Sequence, residues 1–279
     1  MYNCRFENIA NPDAYGGALS IGGSLFLILN YVFAINCTGY VGGFVYCVSQ
    51  RFNMTHCCGD MCVAKQLGQF GFFTPTGSLV NHYNMSSVQR SSPSREGSYY
   101  PVAFRTSHNI IHNFNSSFNI LDLWGSGLNS LGAKSTIVQY STFAQLFGRC
   151  VLLFQEINES ASVLYCNVVN NYIYPSNEYE GVINFCLSMT INDCIFYNNT
   201  NNIFVCYEKP SNTINIYRSY IESSPGPQAI IFNPTLLPAT SFAHKHVKNH
   251  NCDIYVDSTH LMKRINKFMR IALLHITCQ

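Results

Sequence analysis

The sequence predicts an all-β fold, a right-handed parallel β-helix of about nine coils over residues 1–238. The first reason is a repeat of about 25 residues in an apolar or small residue near the end of each short β-like segment. The repeat positions are Phe6, Phe33, Cys58, Phe118, Phe143, Val168, Phe196 and Ile221. The interval after Cys58 leaves room for one divergent copy near Val88. Such a period is typical of solenoids, in which each coil buries its apolar side against the next.

The second reason is the strand character of the repeated segments. Residues 163–169, 189–197 and 213–221 are rich in β-branched and aromatic residues and alternate with a period of two. Turn residues such as Asn170-Asn171 separate them. Helical spacing is hard to find before residue 258, and the pattern of leucine-rich repeats is absent. Short parallel strands stacked coil on coil are therefore the best interpretation.

The third reason is that polar and small residues keep the same register. Asparagines follow the repeat position by two or three residues; they are Asn8, Asn36, Asn170-Asn171 and Asn198-Asn199. Asparagine tolerates the left-handed backbone region, and its amide can bond to its counterpart in the next coil. A small residue precedes several repeat positions by two, as in Cys166 and Cys194. We therefore predict an asparagine ladder of Asn8, Asn36, Asn171 and Asn199, in which Asn170 or Asn171 lies directly over Asn198 or Asn199.

The first coils cover residues 1–73 and carry Gly16-Gly17 and Gly42-Gly43 at one spacing, as expected for a corner with positive φ. In residues 74–105 the repeat is hard to follow, which predicts a loose coil or a coil with a long loop. Residues 106–224 resume the repeat.

After Pro238 the composition changes. Residues 239–279 hold six of the 16 Lys and Arg, together with five of the nine His. Residues 258–274 read as a short amphipathic basic helix that could cap the β-helix, although disorder and weak membrane contact are alternatives.

The opening motifs resemble a known group of proteins. Cys4-Arg-Phe6-Glu-Asn8 is followed by Gly16-Gly-Ala-Leu19, and Phe33-Ala-Ile-Asn36 is followed by Gly42-Gly-Phe-Val45. This pattern resembles the β-helical surface proteins typified by chlamydial polymorphic outer membrane proteins, and it is similar to the β-helix families of trichomonad protists. The resemblance covers about residues 1–224. It implies a surface or secreted scaffold with adhesin-like roles, and it carries over no catalytic residues.

Composition excludes several function classes. The net charge is +2, which gives no electrostatic footprint for nucleic acid, and only 11% of residues are charged. Asparagine is abundant, with 30 residues, beside 18 Tyr and 20 Phe. The 13 cysteines include one local cluster, Cys57, Cys58 and Cys62 beside His56, which makes at most half of a zinc site. We therefore expect neither a metal nor a cofactor, and we expect most cysteines to be small core residues, with disulfides between adjacent coils as an alternative whose pairs the sequence does not select.

Six sequons favour a secreted glycoprotein, although an asparagine-rich chain produces such triplets by chance. They begin at Asn36, Asn53, Asn84, Asn115, Asn158 and Asn198. No signal peptide is visible, so extracellular or surface localisation is expected only if the chain is part of a longer product. The uncharged stretch 14–49 contains asparagines and glycines and carries the repeat, so we interpret it as buried strands rather than a membrane span.

β-Helices also include polysaccharide lyases and glycoside hydrolases, which need paired carboxylates. Glu180 and Glu208 both lie 12 residues after their repeat positions, and Glu156 lies 13 after its own. Each has a turn-like context in which exposed acids are normal, and we identify no basic partner. We therefore expect no enzyme activity, and keep a carbohydrate-active enzyme using Glu180 and Glu208 as the alternative. The expected function is a non-enzymatic scaffold that binds host-cell proteins or glycans.

Overall fold

A computed structural model describes residues 1–91, 99–121, 125–174, 180–206, 212–222 and 230–232. The described chain is a parallel β-helix of about 8 turns, with 68% strand and 0% helix. Each turn passes through three parallel sheets in a fixed order, which we name A, B and C. The predicted fold class is confirmed. The predicted basic tail at 239–279, including the helix at 258–274, lies outside the described residues.

Among the described residues, sheet A has nine rungs. They are β1 (Tyr2–Glu7), the end of β3 (Leu19–Ile35), β6 (Cys58–Asp60), the ends of β9 (Val80–Gln89) and β11 (His108–Ser117), β14 (Thr142–Ala144), β18 (Asn167–Val169), β22 (Ile195–Tyr197) and β25 (Tyr220–Ile221).

Sheet B has eight rungs among the described residues. They are the start of β3, the start of β5 (Val45–Thr55), β8 (Gly71–Pro75), β10 (Val102–Arg105), β12 (Gly125–Leu131), β16 (Cys150–Gln155), β20 (Gly181–Phe185) and β23 (Asn202–Cys206).

Sheet C is formed by the middle of β3, the end of β5, the starts of β9 and β11, and four separate strands with a final short one. These are β13 (Ser135–Gln139), β17 (Ser160–Leu164), β21 (Met189–Asn192), β24 (Thr213–Tyr217) and β26 (Ile230–Phe232). Between sheets A and B lie short side strands: β2 (Ala10–Tyr15), β4 (Thr38–Val41), β7 (Val63–Ala64), β15 (Phe147–Gly148) and β19 (Tyr172–Ile173).

The central column of sheet A shows which part of the predicted repeat is right. Successive rungs pair Phe6, Ala34, Gly59, Val88, Ser116, Phe143, Val168, Phe196 and Ile221. The prediction is confirmed for the copy near Val88 and for the run from Phe143 to Ile221. It is wrong for Phe33 and Cys58, which lie one residue earlier in their rungs and pair with each other.

The prediction is also wrong for Phe118. The residue is 45% exposed and lies two positions after the column, where φ is 56°. The physical reason is that the turns between sheets differ in length from coil to coil, so an alignment at constant spacing slips by one or two residues. A slip of one residue in a strand moves a side chain to the opposite face.

Two corners of every coil are built on left-handed residues. Between sheets C and A, three positions before the column, φ lies between 43° and 54° at Asn3, Tyr31, His56, Met85, Asn113, Tyr140, Tyr165, Asp193 and Arg218. After sheet A, two positions beyond the column, the same conformation occurs at Asn8, Asn36, Met61, Arg90, Phe118, Gln145, Asn170 and Asn198. A left-handed residue turns the chain sharply, and isolated non-glycine residues adopt it at a modest cost that stacking offsets.

The glycine corner predicted for the first coils is confirmed. Gly16, Gly42 and Gly68 have φ of 74°, 73° and 68°, and the Gly16 N–H donates to the Val41 carbonyl while the Gly42 N–H donates to the Leu67 carbonyl. A β-carbon on Gly42 would lie 2.2 Å from the Val45 oxygen, so no other residue fits there without a backbone shift.

The core is a continuous apolar column enclosed by the three sheets. Its first half is aromatic: Phe52 and Phe104 stack at 5.6 Å between centroids, and Tyr83 contacts Phe114 at 4.9 Å. Its second half is mainly aliphatic, with thiols at Cys166 and Cys194. In the region 74–105, β10 keeps its register with β8, and β9 keeps its register with β11. Residues 92–98 lie outside the described residues.

Candidate functional site

The corner between sheets C and A carries two stacked pairs of rings, Tyr31 with His56 and Tyr140 with Tyr165. We call it the aromatic corner and define it as Tyr31, His56, Met85, Asn113, Tyr140, Tyr165, Asp193 and Arg218. Because each of these residues has the same left-handed backbone, their side chains leave the coil in the same direction and stack at the rung spacing of about 4.8 Å.

Three pairs of neighbouring members of the aromatic corner contact each other directly. The Tyr31 and His56 rings stack at 4.4 Å with an interplanar angle of 6°, and Tyr140 and Tyr165 stack at 4.8 Å and 4°. Farther along, the Arg218 guanidinium lies 2.5 Å from the Asp193 carboxylate. The tyrosines remain 38% to 44% exposed. Because the stacked faces cover each other, each ring pair presents mainly its edges to solvent.

The outward face of sheet C continues this surface with histidines and amides. His112 Nδ1 lies 3.1 Å from Asn84 Oδ1, and the His112 ring meets Tyr140 edge-on at 5.1 Å. His108 Nδ1 lies 2.8 Å from the Ser135 hydroxyl. Partial burial lowers the pKa of His112, and burial together with the Arg51 charge lowers the pKa of His82. At neutral pH the surface is therefore polar and weakly charged.

The asparagine ladder has the predicted contacts, but it consists of two columns. On the outside, Asn36 Nδ2 donates to Asn8 Oδ1 at 2.8 Å, and Asn198 Nδ2 donates to Asn170 Oδ1 at 2.9 Å. On the inside, Asn171 Nδ2 donates to Asn199 Oδ1 at 2.8 Å, so the prediction for this pair is confirmed.

The inner asparagines are structural. Asn171 Oδ1 accepts from the Leu146 N–H at 3.0 Å, while its amide donates to the Phe143 carbonyl at 3.0 Å. Asn119 has the equivalent position two coils earlier and accepts from the Ser91 N–H at 2.8 Å. These amides replace backbone hydrogen bonds that the turn leaves unmade, which explains why polar side chains are buried there.

Glu180, one of the two carboxylates of the enzyme hypothesis, has a different environment from the one predicted. Its side chain is 3% exposed, and its Oε1 lies 3.5 Å from Arg149 Nε. The expectation of an exposed acid without a basic partner is therefore wrong. The β16–β20 register places Arg149 and Glu180 next to each other in consecutive coils, so a carboxylate that burial would destabilise is neutralised by a guanidinium.

The other two glutamates do not complete a site. Glu156 follows the end of β16, whereas Glu180 precedes the start of β20, so the two lie at opposite ends of paired strands. Glu156 is exposed, with φ of 54°. Glu208 lies outside the described residues. Stacking of glutamates is thus wrong for Glu156 and untested for Glu208.

The proposed half zinc site does not converge. The His56 ring leaves the coil to stack on Tyr31, whereas the Cys57 and Cys62 thiols point into the core and donate to backbone carbonyls. Within the described residues, no group of three or more His, Cys, Asp or Glu side chains is placed to hold a metal ion.

The six sequons differ in accessibility. Asn158 is exposed after β16, and Asn36 and Asn198 are exposed at the corner after sheet A. Asn53 and Asn84 lie half-buried on sheet C, and Asn115 is 4% exposed. Glycosylation stays a prediction for the exposed sites, and Asn115 is a poor candidate in the folded chain.

The outward face of sheet B differs from that of sheet C because it is covered. Its central column is Ser20, Tyr46, Phe72, Ala103, Asn129, Leu153, Asn184 and Val205. From Phe72 onward every member is at most 6% exposed, including the polar Asn129 and Asn184. A small second core of Val41, Tyr100, Cys150 and neighbouring residues packs there.

The comparisons with known proteins identify no relative: no family model, curated protein or solved structure matches this chain. Among the described residues, no helix is long and apolar enough to cross a membrane.

The aromatic corner was not predicted from the sequence. A signal was present, because Tyr140 and Tyr165 are 25 residues apart and each comes directly before a small buried residue, Ser141 or Cys166. The direction of the side chains was not predictable, since it depends on the left-handed backbone at those positions.

Proposed function

We propose that this chain is a non-enzymatic scaffold, displayed on a cell surface or secreted, that binds host-cell proteins or glycans as an adhesin does. The observation that carries the proposal is the aromatic corner beside the amide- and histidine-bearing face of sheet C. Tyrosine offers large contact area at low conformational cost, and amides supply adaptable hydrogen bonds, so such surfaces are typical of protein and glycan recognition.

The solenoid makes this surface rigid. Tyr140 and Tyr165 sit at a corner whose backbone is hydrogen-bonded to both neighbouring coils, as in the Tyr140 N–H to Leu164 carbonyl contact of 3.1 Å. Little entropy is therefore lost when a partner binds, which favours affinity from a polar surface. The resemblance to surface β-helix proteins supports the same assignment.

The test uses the whole chain and a double variant, Tyr140→Ala with Tyr165→Ala. Binding is measured on an array of mammalian glycans and to intact host cells by flow cytometry. We expect the double variant to lose about tenfold or more in affinity, as removal of two central aromatic contacts does. Tyr197→Ala is the matched control, because Tyr197 is 46% exposed but lies on sheet A, away from the aromatic corner.

Absence of binding to both glycans and cells would overturn the proposal, and so would equal losses in the double variant and the control. Circular dichroism of each variant separates loss of binding from loss of fold.

A carbohydrate-active enzyme is the second candidate, and the observation in its favour is the buried carboxylate of Glu180 beside the partly exposed Arg149. Buried carboxylates with a basic partner occur at functional sites as well as at structural ones. Turnover on a panel of plant and animal polysaccharides, compared between the parent chain and Glu180→Gln, decides between the candidates. Turnover by the parent chain that is abolished in Glu180→Gln would mean that the protein is an enzyme and not a scaffold.

A further inference from the structure

The core contains two pairs of cysteines that occupy one column in consecutive coils. Cys37 and Cys62 follow the column of sheet A by three positions in adjacent coils, and Cys166 and Cys194 precede it by two. All four side chains are 0% exposed. Rungs of a sheet are about 4.8 Å apart, which lies inside the Cα–Cα range of about 4.4–6.8 Å that a disulfide requires.

In each pair the thiol of the later cysteine is directed toward the coil of the earlier one. The earlier thiols point to the coil before their own, since Cys37 Sγ lies 3.9 Å from the Phe6 carbonyl oxygen and Cys166 Sγ lies 3.6 Å from the Val138 carbonyl oxygen. Cys62 Sγ lies 3.5 Å from the Ala34 carbonyl oxygen, in the coil of Cys37. Cys194 Sγ lies 3.3 Å from the Val163 carbonyl, in the coil of Cys166. It also accepts from the Cys166 N–H at 3.4 Å.

We propose that Cys37–Cys62 and Cys166–Cys194 are sites of disulfide cross-links that join consecutive coils through the core. The oxidant is a small-molecule disulfide of the glutathione class. The thiolate of one cysteine attacks a sulfur of the small disulfide, forming a mixed disulfide and releasing one small thiol. The second cysteine then attacks the protein sulfur of the mixed disulfide and releases the other small thiol. Two electrons and two protons pass from each protein dithiol to two small thiols.

The reaction takes place while the chain folds rather than afterwards. Burial raises the pKa of Cys62 and of Cys194, so both are protonated in the folded chain, and neither is accessible to a reagent. Whether the cross-links form therefore depends on the redox conditions during folding.

Two other buried cysteines serve as internal controls for the cross-linking experiment. Cys57 lies in the same column as Cys166, but its neighbours there are Val32 and Ser86. Cys150 pairs with Gly125 and lies outside sheet A. Both are at most 2% exposed, so burial alone does not distinguish them from the paired cysteines.

The experiment refolds the full chain from reducing denaturant into a buffer of reduced and oxidised glutathione, with a parallel sample in reductant alone. Both samples are then acid-quenched, unfolded, alkylated, and mapped by non-reducing peptide mass spectrometry. We expect cross-linked peptides for Cys37–Cys62 and for Cys166–Cys194 only in the oxidised sample, with Cys57 and Cys150 alkylated in both. Alkylation of the four paired cysteines in the oxidised sample, or cross-links to Cys57 and Cys150 at equal yield, would overturn the proposal.

Cys62→Ser and Cys194→Ser give a second test, and serine already occupies equivalent columns at Ser91 and Ser141. Each variant should lose its own cross-link and keep the other. Each cross-link should raise the folding equilibrium constant by on the order of a hundredfold, since it closes a loop of 25 or 28 residues. If an oxidised parent chain and both serine variants have the same denaturation midpoint, the proposed cross-links are absent.

Discussion

The outward faces of sheets B and C belong to the same coils and turn away from the same core, yet they have opposite environments. In sheet B, Leu153 is 2% exposed and Val205 is 1% exposed. In sheet C, the outward side chains of Ile137, Leu164 and Asn192 are partly exposed. Burial alternates along the sheet C strands β13, β17 and β24, whereas in sheet B the strand β16 is buried from Cys150 to Phe154 and β20 is buried throughout. The outward face of sheet B buries apolar side chains, whereas the outward face of sheet C remains partly exposed to solvent.

The largest difference in stability between the two faces is expected when the same charge is placed on each. Leu153→Asp puts a carboxylate into the covered face and should lower the free energy of unfolding by about 4 kcal/mol or more, because an unpaired buried charge is poorly solvated. Leu164→Asp on sheet C should change it by about 0.5 kcal/mol. Urea unfolding followed by circular dichroism measures both; similar values would mean that sheet B is open to solvent.

The inward face provides the next test, which also checks the corrected repeat. Phe143→Ala should cost about 3–5 kcal/mol, because Phe143 is fully buried and its removal leaves a cavity. Phe118→Ala should cost about 0.5 kcal/mol, because Phe118 is 45% exposed at the corner after sheet A. A large loss of stability in both variants, measured by the same urea unfolding, would instead support the repeat of constant spacing.

The two asparagine columns allow a smaller comparison at a single corner. Asn171→Ala should cost about 1–3 kcal/mol, since it leaves the Leu146 N–H and the Phe143 carbonyl without the partners they have now. Asn170→Ala, one residue away on the outside, should cost less than about 1 kcal/mol, because water replaces the lost contact. Equal effects on the thermal midpoint would contradict the division into inner and outer columns.

The smallest expected effect is a dependence of stability on pH from the open face. The pKa values of His82 and His112 are lowered from 6.5 in the folded chain, so the unfolded chain binds protons more readily. Their contribution to stability is complete above pH 6.5 and declines as the pH falls below it. The denaturation midpoint should therefore drop modestly in mild acid, and a double variant, His82→Gln with His112→Gln, should show a smaller drop than the parent chain. An unchanged slope would place the acid sensitivity elsewhere.

Much of the architecture was predictable because a solenoid repeats its local chemistry. The run from Phe143 to Ile221, the stacked Asn171 and Asn199, and the corner at Gly16 and Gly42 all follow from residues that recur at similar spacing. The errors at Phe33, Cys58 and Phe118 have one cause: turns of different length separate the strands, and periodicity does not report how many residues a turn absorbs.

The candidate surfaces were less predictable than the fold. Glu180 has a turn-like sequence context, but its burial and its contact with Arg149 arise from the next coil. Tyr140 and Tyr165 carried a spacing signal, but their exposure depends on a left-handed backbone that only the closed coil imposes.

The sequence by itself determined that this chain is a parallel β-helix, because apolar, small and asparagine residues recur in a register that stacked coils satisfy together. Only the tertiary structure decided which outward face is covered, which tyrosines form the exposed corner, and which cysteines lie opposite each other. These properties depend on contacts between residues about 21 to 31 positions apart, and a difference of one residue in a turn changes which side chains meet.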